Sequence, residues 1–238
     1  MKYLYAWLLA IVLFVASNRA VAQTNTLLLR CKHQLGDAIL QLHTQQYRNG
    51  FDEPITFHML KYYLSNIVLT DTQGKEWKTK NFVYLIDEND STSKCISINV
   101  GNLPIVAVSF SIGVDSNLQT AGVQSGVLDP LKGMFWSWNT GYVYAKIEAQ
   151  SAASKAPTHA VSHHVGGYLQ QQNALRKVQL TAQIPIRENL VLVADLQKWF
   201  NSVHALPIAQ YPVCHTPGTL AMQLADNIAQ MFSLSKLP

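Results

Sequence analysis

What most constrains this chain is a succession of short β-prone runs, each closed by turn residues. Thr26–His33, Phe57–Leu64 and Asn66–Thr70 come first, and the third ends at Asp71-Thr72-Gln73-Gly74, a turn signal. Phe82–Asp87, Cys95–Val100, Ile105–Gly113, Tyr142–Glu148, Leu175–Thr181 and Leu190–Ala194 follow. In Cys95–Val100 apolar and polar residues alternate, as in a strand with one face buried. Many short strands with turns between them predict a mainly β fold: an antiparallel β-sandwich of immunoglobulin-like architecture. Two helices interrupt the pattern. Asp195–Phe200 is long enough for a turn or two. In Leu220–Phe232, the residues Leu220, Leu224, Ile228, Met231 and Phe232 share one helical face, and Thr216-Pro217 supplies a cap and a first-turn proline. Residues 115–133 and 150–173 are rich in Gly, Ser, Gln and Thr and read as long loops.

The N-terminus obeys different rules. Lys2 precedes the apolar run Leu4–Ala16, then come Ser17-Asn18-Arg19 and Ala20-Val21-Ala22. A positive start, a short apolar core and an A-x-A site predict a secretory signal peptide over 1–22. The run is shorter than the roughly 20 residues that span a bilayer. No later segment is long and apolar enough to do so, and no Cys follows the cleavage point to take a lipid. Residues 23–238 are then one periplasmic or secreted domain with no stable membrane insertion.

Charge narrows the function classes. The chain has 18 Lys+Arg against 14 Asp+Glu, and loss of Lys2 and Arg19 leaves the mature protein near neutral. With no basic block, it offers nothing to nucleic acid. With 48% hydrophobic and 13% charged residues, it is no disordered chain. Cys31, Cys95 and Cys214 allow one disulfide plus a free thiol, or three buried thiols. No C-x-x-C, H-E-x-x-H, Walker loop or G-x-S-x-G occurs, and Gly122–Gly126 places its Ser wrongly for a nucleophile elbow. No motif supports an enzyme.

Two clusters carry chemical interest. One is Met134–Tyr142, in which Trp136 and Trp138 share a face if the segment is extended. It reads as a core aromatic pair or as a binding platform with Tyr142 and Tyr144. The other is histidine: His33, His43, His58, His159, His163 and His164. Neutral imidazole binds copper, zinc, nickel and iron. His159, His163 and His164 fall close together in a segment that reads as loop, and proximity lowers the cost of assembling a metal site. Cys214-His215 is a further candidate pair, with a buried thiol beside a surface ring as the plainer reading.

Several pieces together resemble the MbnP-like family of bacterial copper-binding proteins, first defined near methanobactin operons. They are Tyr62–Ile67, Phe110–Ser116, Leu128-Asp129-Pro130, Gly133–Tyr142, His164-Val165-Gly166-Gly167 and Ala225–Phe232. The M-F-W-x-W-x-x-G-Y stretch is the most specific, and the resemblance runs from about Leu27 to Phe232. It implies a periplasmic protein that binds one Cu(I). It implies that the first Trp of W-x-W, Trp136, is oxidised to kynurenine by a partner di-haem enzyme of the MauG and cytochrome c peroxidase type, with Trp138 beside it. His164 is the first expected ligand and His33 the second, with His163 an alternative register. Met134 would offer a thioether, and Asp115 would orient a ligating imidazole. The protein would be a substrate of the modifying enzyme and not itself an enzyme. The rival is a glycan- or ligand-binding module that uses an exposed aromatic platform.

Overall fold

The computed structural model describes residues 25–137, 141–187 and 189–236. The expected signal peptide and Trp138 lie outside the described residues.

In chain order, β1 (Asn25–Leu35), β2 (Ala38–Ile39) and β3 (Tyr47–Arg48) lead into the long β4 (Pro54–Asp71). Next come β5 (Glu76–Lys78), β6 (Val83–Asp87), β7 (Cys95–Val100), β8 (Ile105–Ile112) and the short helix α1 (Ser116–Thr120). The second half holds β9 (Phe135–Trp136), β10 (Gly141–Gln150), β11 (Ala160–Gly166), β12 (Arg176–Ile186) and β13 (Leu190–Asp195). The chain closes with α2 (Gln197–Phe200), β14 (Val213–Cys214), α3 (Thr219–Ala229) and β15 (Phe232–Lys236).

Two sheets result. The smaller runs β15-β13-β1-β2, with β7 also on β1. The larger runs β12-β8-β4-β10-β11-β14, with β3, β5 and β6 on β4 and β9 on β10. Strand β4 is long enough to pair β10 through Thr56–Tyr62 and β8 through Leu64–Asp71, and register shifts along it curl the sheet. The architecture is mainly β, as the sequence predicts. Two pairings depart from the antiparallel expectation: β1 with β13 and β11 with β14 run parallel.

The core lies between the sheets. Phe232 of the smaller sheet meets Phe110 and Tyr62 of the larger at 5.1 and 5.7 Å between ring centroids. Leu29, Leu192, Leu60 and Ile147 are fully buried around them. Each such side chain contributes roughly 1.5–3 kcal/mol by leaving water. His33 and His163 are buried polar members of this interior.

The predicted C-terminal helix is present but shorter. It starts after Gly218, whose φ is 144°, and stops at Ala229. Phe232 leaves the helical face because it opens β15, opposite Ala194 of β13. Residues 160–166, read as loop from their Gly and Ser content, form β11, because ladder bonds to β10 outweigh weak strand propensity. Among the described residues no helix is long and apolar enough to cross a membrane. The three cysteines are unpaired. Cys31 and Cys214 are buried and Cys95 is exposed, which matches neither arrangement expected for them. Burial pushes the Cys31 thiol up to about 12 and Cys214 up to about 11, so both are inert as thiolates.

Candidate metal centre

Strand β11 divides its side chains between two faces. Residues 161, 163 and 165 point into the core, and 162 and 164 point away from it. The partner strand β10 does the same, with Ile147 and Ala149 inward and Lys146 and Glu148 outward. Since Lys146 lies opposite His164 and Glu148 opposite Ser162, four polar side chains gather on one outer face. The short β14 adds a fifth. It runs beside β11 with Cys214 next to His163, which delivers the following residue, His215, onto that face.

There the imidazoles of His164 and His215 stack, with centroids 4.4 Å apart and planes 28° from parallel. The Ser162 hydroxyl lies 2.7 Å from His215 Nε2 and 3.2 Å from His164 Nε2, so both nitrogens converge on one oxygen. His164 Nε2 also meets Glu148 Oε1 at 2.5 Å, and Lys146 Nζ approaches the same oxygen at 3.6 Å. Burial opposes the charge on Glu148. Hydrogen bonds from His164 and Ser162, and the charges of His164 and Lys146, outweigh it and hold the carboxyl down at about 2. Burial, with His164 and Lys146 nearby, holds the His215 imidazole below its ordinary value. It is therefore neutral at neutral pH, the form that ligates metal.

His163 is built differently. It is fully buried, its Nε2 donates to the Tyr211 carbonyl at 2.7 Å, and its Nδ1 accepts from Trp199 Nε1 at 3.0 Å. Burial drives its pKa down to about 4. Both nitrogens are engaged and neither faces His164's side of the sheet.

Trp136 approaches the outer face from its other end. A Cβ on Gly166 would point the way Ser162 and His164 do. It would lie 3.0 Å from Cη2 and Cζ3 of the Trp136 indole and 2.6 Å from the Tyr142 carbonyl oxygen. Only glycine leaves room here for the six-membered edge of the ring, one same-face step from His164. The strand rise makes that step about 7 Å. The ring is held there by β9, which pairs Trp136 with Gly141, and by a long segment fastened over β4 and β10. The fastenings are Tyr63 Oη to the Val127 carbonyl, Tyr142 Oη to the Leu128 carbonyl, and Gln119 Nε2 to Tyr144 Oη.

The other predicted residues lie elsewhere. His33 projects from β1 into the space between the sheets, where Nδ1 pairs with Glu88 and Nε2 meets Tyr62 Oη at 2.7 Å. Tyr62 points inward from β4, so the His33 network and His164 are on opposite sides of the larger sheet. Asp115 receives Asn66 Nδ2 on both carboxylate oxygens, at 3.1 and 3.0 Å, and shares no hydrogen bond with an imidazole. Met134 is completely buried. The aromatic platform expected by the rival reading is absent from the described surface, since Trp136, Tyr142 and Tyr144 are all buried. Glu148 and Ser162 escaped the sequence reading. Their signal was the i, i+2 polar spacing of Lys146 with Glu148 and of Ser162 with His164.

Among the described residues no three His, Cys, Asp or Glu side chains form a ready metal cage.

The MbnP family model matches residues 24–216, more than three quarters of the chain. The chain belongs to the MbnP family. Among solved structures, MbnP from Methylosinus trichosporium is similar, with a TM-score of 0.58 and 16% identity over 89% of this chain and 98% of that one. At that identity the likeness speaks to the fold. No curated protein matches the chain. The MbnP match takes in Trp136, Glu148, Ser162, His164 and His215, and ends before α3 and β15.

Proposed function

We propose that this MbnP-family protein binds one copper(I) ion outside the cytoplasm, as a carrier or store in copper homeostasis and not as an enzyme. The observation that carries the reading is the convergence of His164 Nε2 and His215 Nε2 at Ser162, on the face where the Trp136 edge arrives. Imidazole is a good copper ligand, and two of them suit the low coordination numbers of Cu(I). In the metal-free protein His164 Nε2 donates to the ionised Glu148, so binding requires that hydrogen to move to Nδ1, which frees both Nε2 lone pairs.

The missing donor is Trp136 after oxidation. An intact indole N–H only donates, and cannot ligate. Two equivalents of hydrogen peroxide at a di-haem partner enzyme would cleave the C2–C3 bond and place one oxygen on each carbon, giving N-formylkynurenine and two waters. Hydrolysis then releases formate and leaves kynurenine, an aromatic amine beside a ketone. Copper capture would follow that modification.

The test is the copper content of protein isolated from its own host after copper-replete growth, with peptide mass spectrometry across Trp136. About one copper per chain with kynurenine at Trp136 is expected. Unmodified Trp136 in a copper-loaded protein overturns the role of the ring, and absence of copper from kynurenine-bearing protein overturns the cargo.

A further inference from the structure

A second pair of imidazoles stands apart from this cluster. His43 lies in the segment after β2 and His58 lies on β4, and their Nδ1 atoms face each other at 3.3 Å. The rings tilt by 35° with centroids 5.3 Å apart. His43 is exposed and His58 half-exposed, so the space between the nitrogens is open to solvent. We propose that His43 and His58 form a surface site for a tetrahedral divalent metal ion of the zinc class, independent of the copper reading.

Distance is the first argument. Two nitrogens bound at about 2.0–2.1 Å to one tetrahedral ion lie about 3.3–3.4 Å apart. Adjacent ligands of a square-planar ion at the same bond length lie about 2.8–3.0 Å apart. The observed separation matches the tetrahedral case.

Preorganisation is the second. The His43 amide donates to the Phe57 carbonyl at 2.7 Å, which ties one ring's backbone to the residue before the other's. His43 holds φ at 69°, a left-handed conformation uncommon for a residue with a side chain. That turn swings its imidazole back over β4 toward His58. Such outliers gather where a site must be held in place. Two protein ligands leave two positions for water, as expected of an exchangeable site and not of a structural one.

The experiment titrates Zn2+ into metal-free mature protein and follows histidine ring signals by NMR together with calorimetry. The first equivalent should shift the His43 and His58 rings. His43→Asn, which tolerates the left-handed backbone, and His58→Gln should each weaken zinc at these rings at least tenfold, while His159→Asn, which lies in neither imidazole pair, should leave it unchanged. Thermal melting of each variant checks that the fold is intact. Zinc affinity unaltered by both surface substitutions, or a first equivalent that leaves the His43 and His58 rings unshifted, overturns the proposal.

Discussion

His163 and His164 are neighbours in the chain whose imidazoles lie on opposite sides of the larger sheet. His163 is locked between the Tyr211 carbonyl and the Trp199 indole, and His164 is stacked on His215. The two should therefore fail in different ways. His164→Ala is expected to weaken copper(I) at least tenfold in a chelator competition, with little change in melting temperature. His163→Ala should cost stability, because it leaves buried polar partners unsatisfied, typically about 1–3 kcal/mol each. The reverse ranking in copper affinity would place the ligand on the inner face.

Trp136→Phe keeps an aromatic ring in the same pocket but removes the indole whose oxidation would supply the amine donor. Tight copper(I) binding should vanish while the circular dichroism spectrum stays as in the parent. Unchanged affinity would mean that His164 and His215 suffice with some other donor.

Buried His163 makes the protein acid-sensitive. Its pKa is lowered from 6.5 to about 4 in the folded state, so the neutral form is what folding stabilises. That contribution is complete above pH 6.5 and drains away as pH falls from there toward 4. Its size is roughly 3 kcal/mol at about 1.4 kcal/mol per pH unit. Urea unfolding should show stability dropping between about pH 6.5 and pH 5, a window above the titration of most carboxylates. A His163→Phe variant should flatten that slope, and an unflattened slope would assign the loss to other groups.

Gly166→Ala tests how tightly Trp136 is seated. The new methyl would sit 2.6 Å from the Tyr142 carbonyl and 3.0 Å from the indole, so backbone or ring must move. Overpacking of this kind typically costs about 1–3 kcal/mol. The shifted ring should also show in tryptophan fluorescence. A stability and spectrum identical to the parent would mean that the ring does not rest on β11.

The strands were legible where alternation was clean, as in Cys95–Val100, and the family where M-F-W-x-W-x-x-G-Y gave it away. His164 could be named from H-x-G-G. Trp136 came with the resemblance and His215 as half of a Cys214-His215 pair, but the joining of His215 to His164, and the presence of Lys146, Glu148 and Ser162 beside them, could not be read, for physical reasons. Residues 160–166 carry little strand propensity and became a strand through pairing with β10 on one side and β14 on the other. Until β11 exists there is no alternation to put His164 outward and His163 inward. His33 looked like a ligand by residue type, yet its place was decided by the packing of β1 against Tyr62. His215 reaches His164 only because β14 docks in parallel across a long stretch of sequence, a contact with no local signature.

The parallel pairing of β1 with β13 also dictates when this protein can become itself. Leu29 has to wait for Leu190, and Ala194 in turn for Phe232, so the smaller sheet is assembled from both ends of the chain. Such distant partners are slow to meet. Until β13 is free the first strand has one bare edge, and until β15 follows, β13 has one. A chain that closes late remains threadable, which suits the export that the proposed location outside the cytoplasm requires.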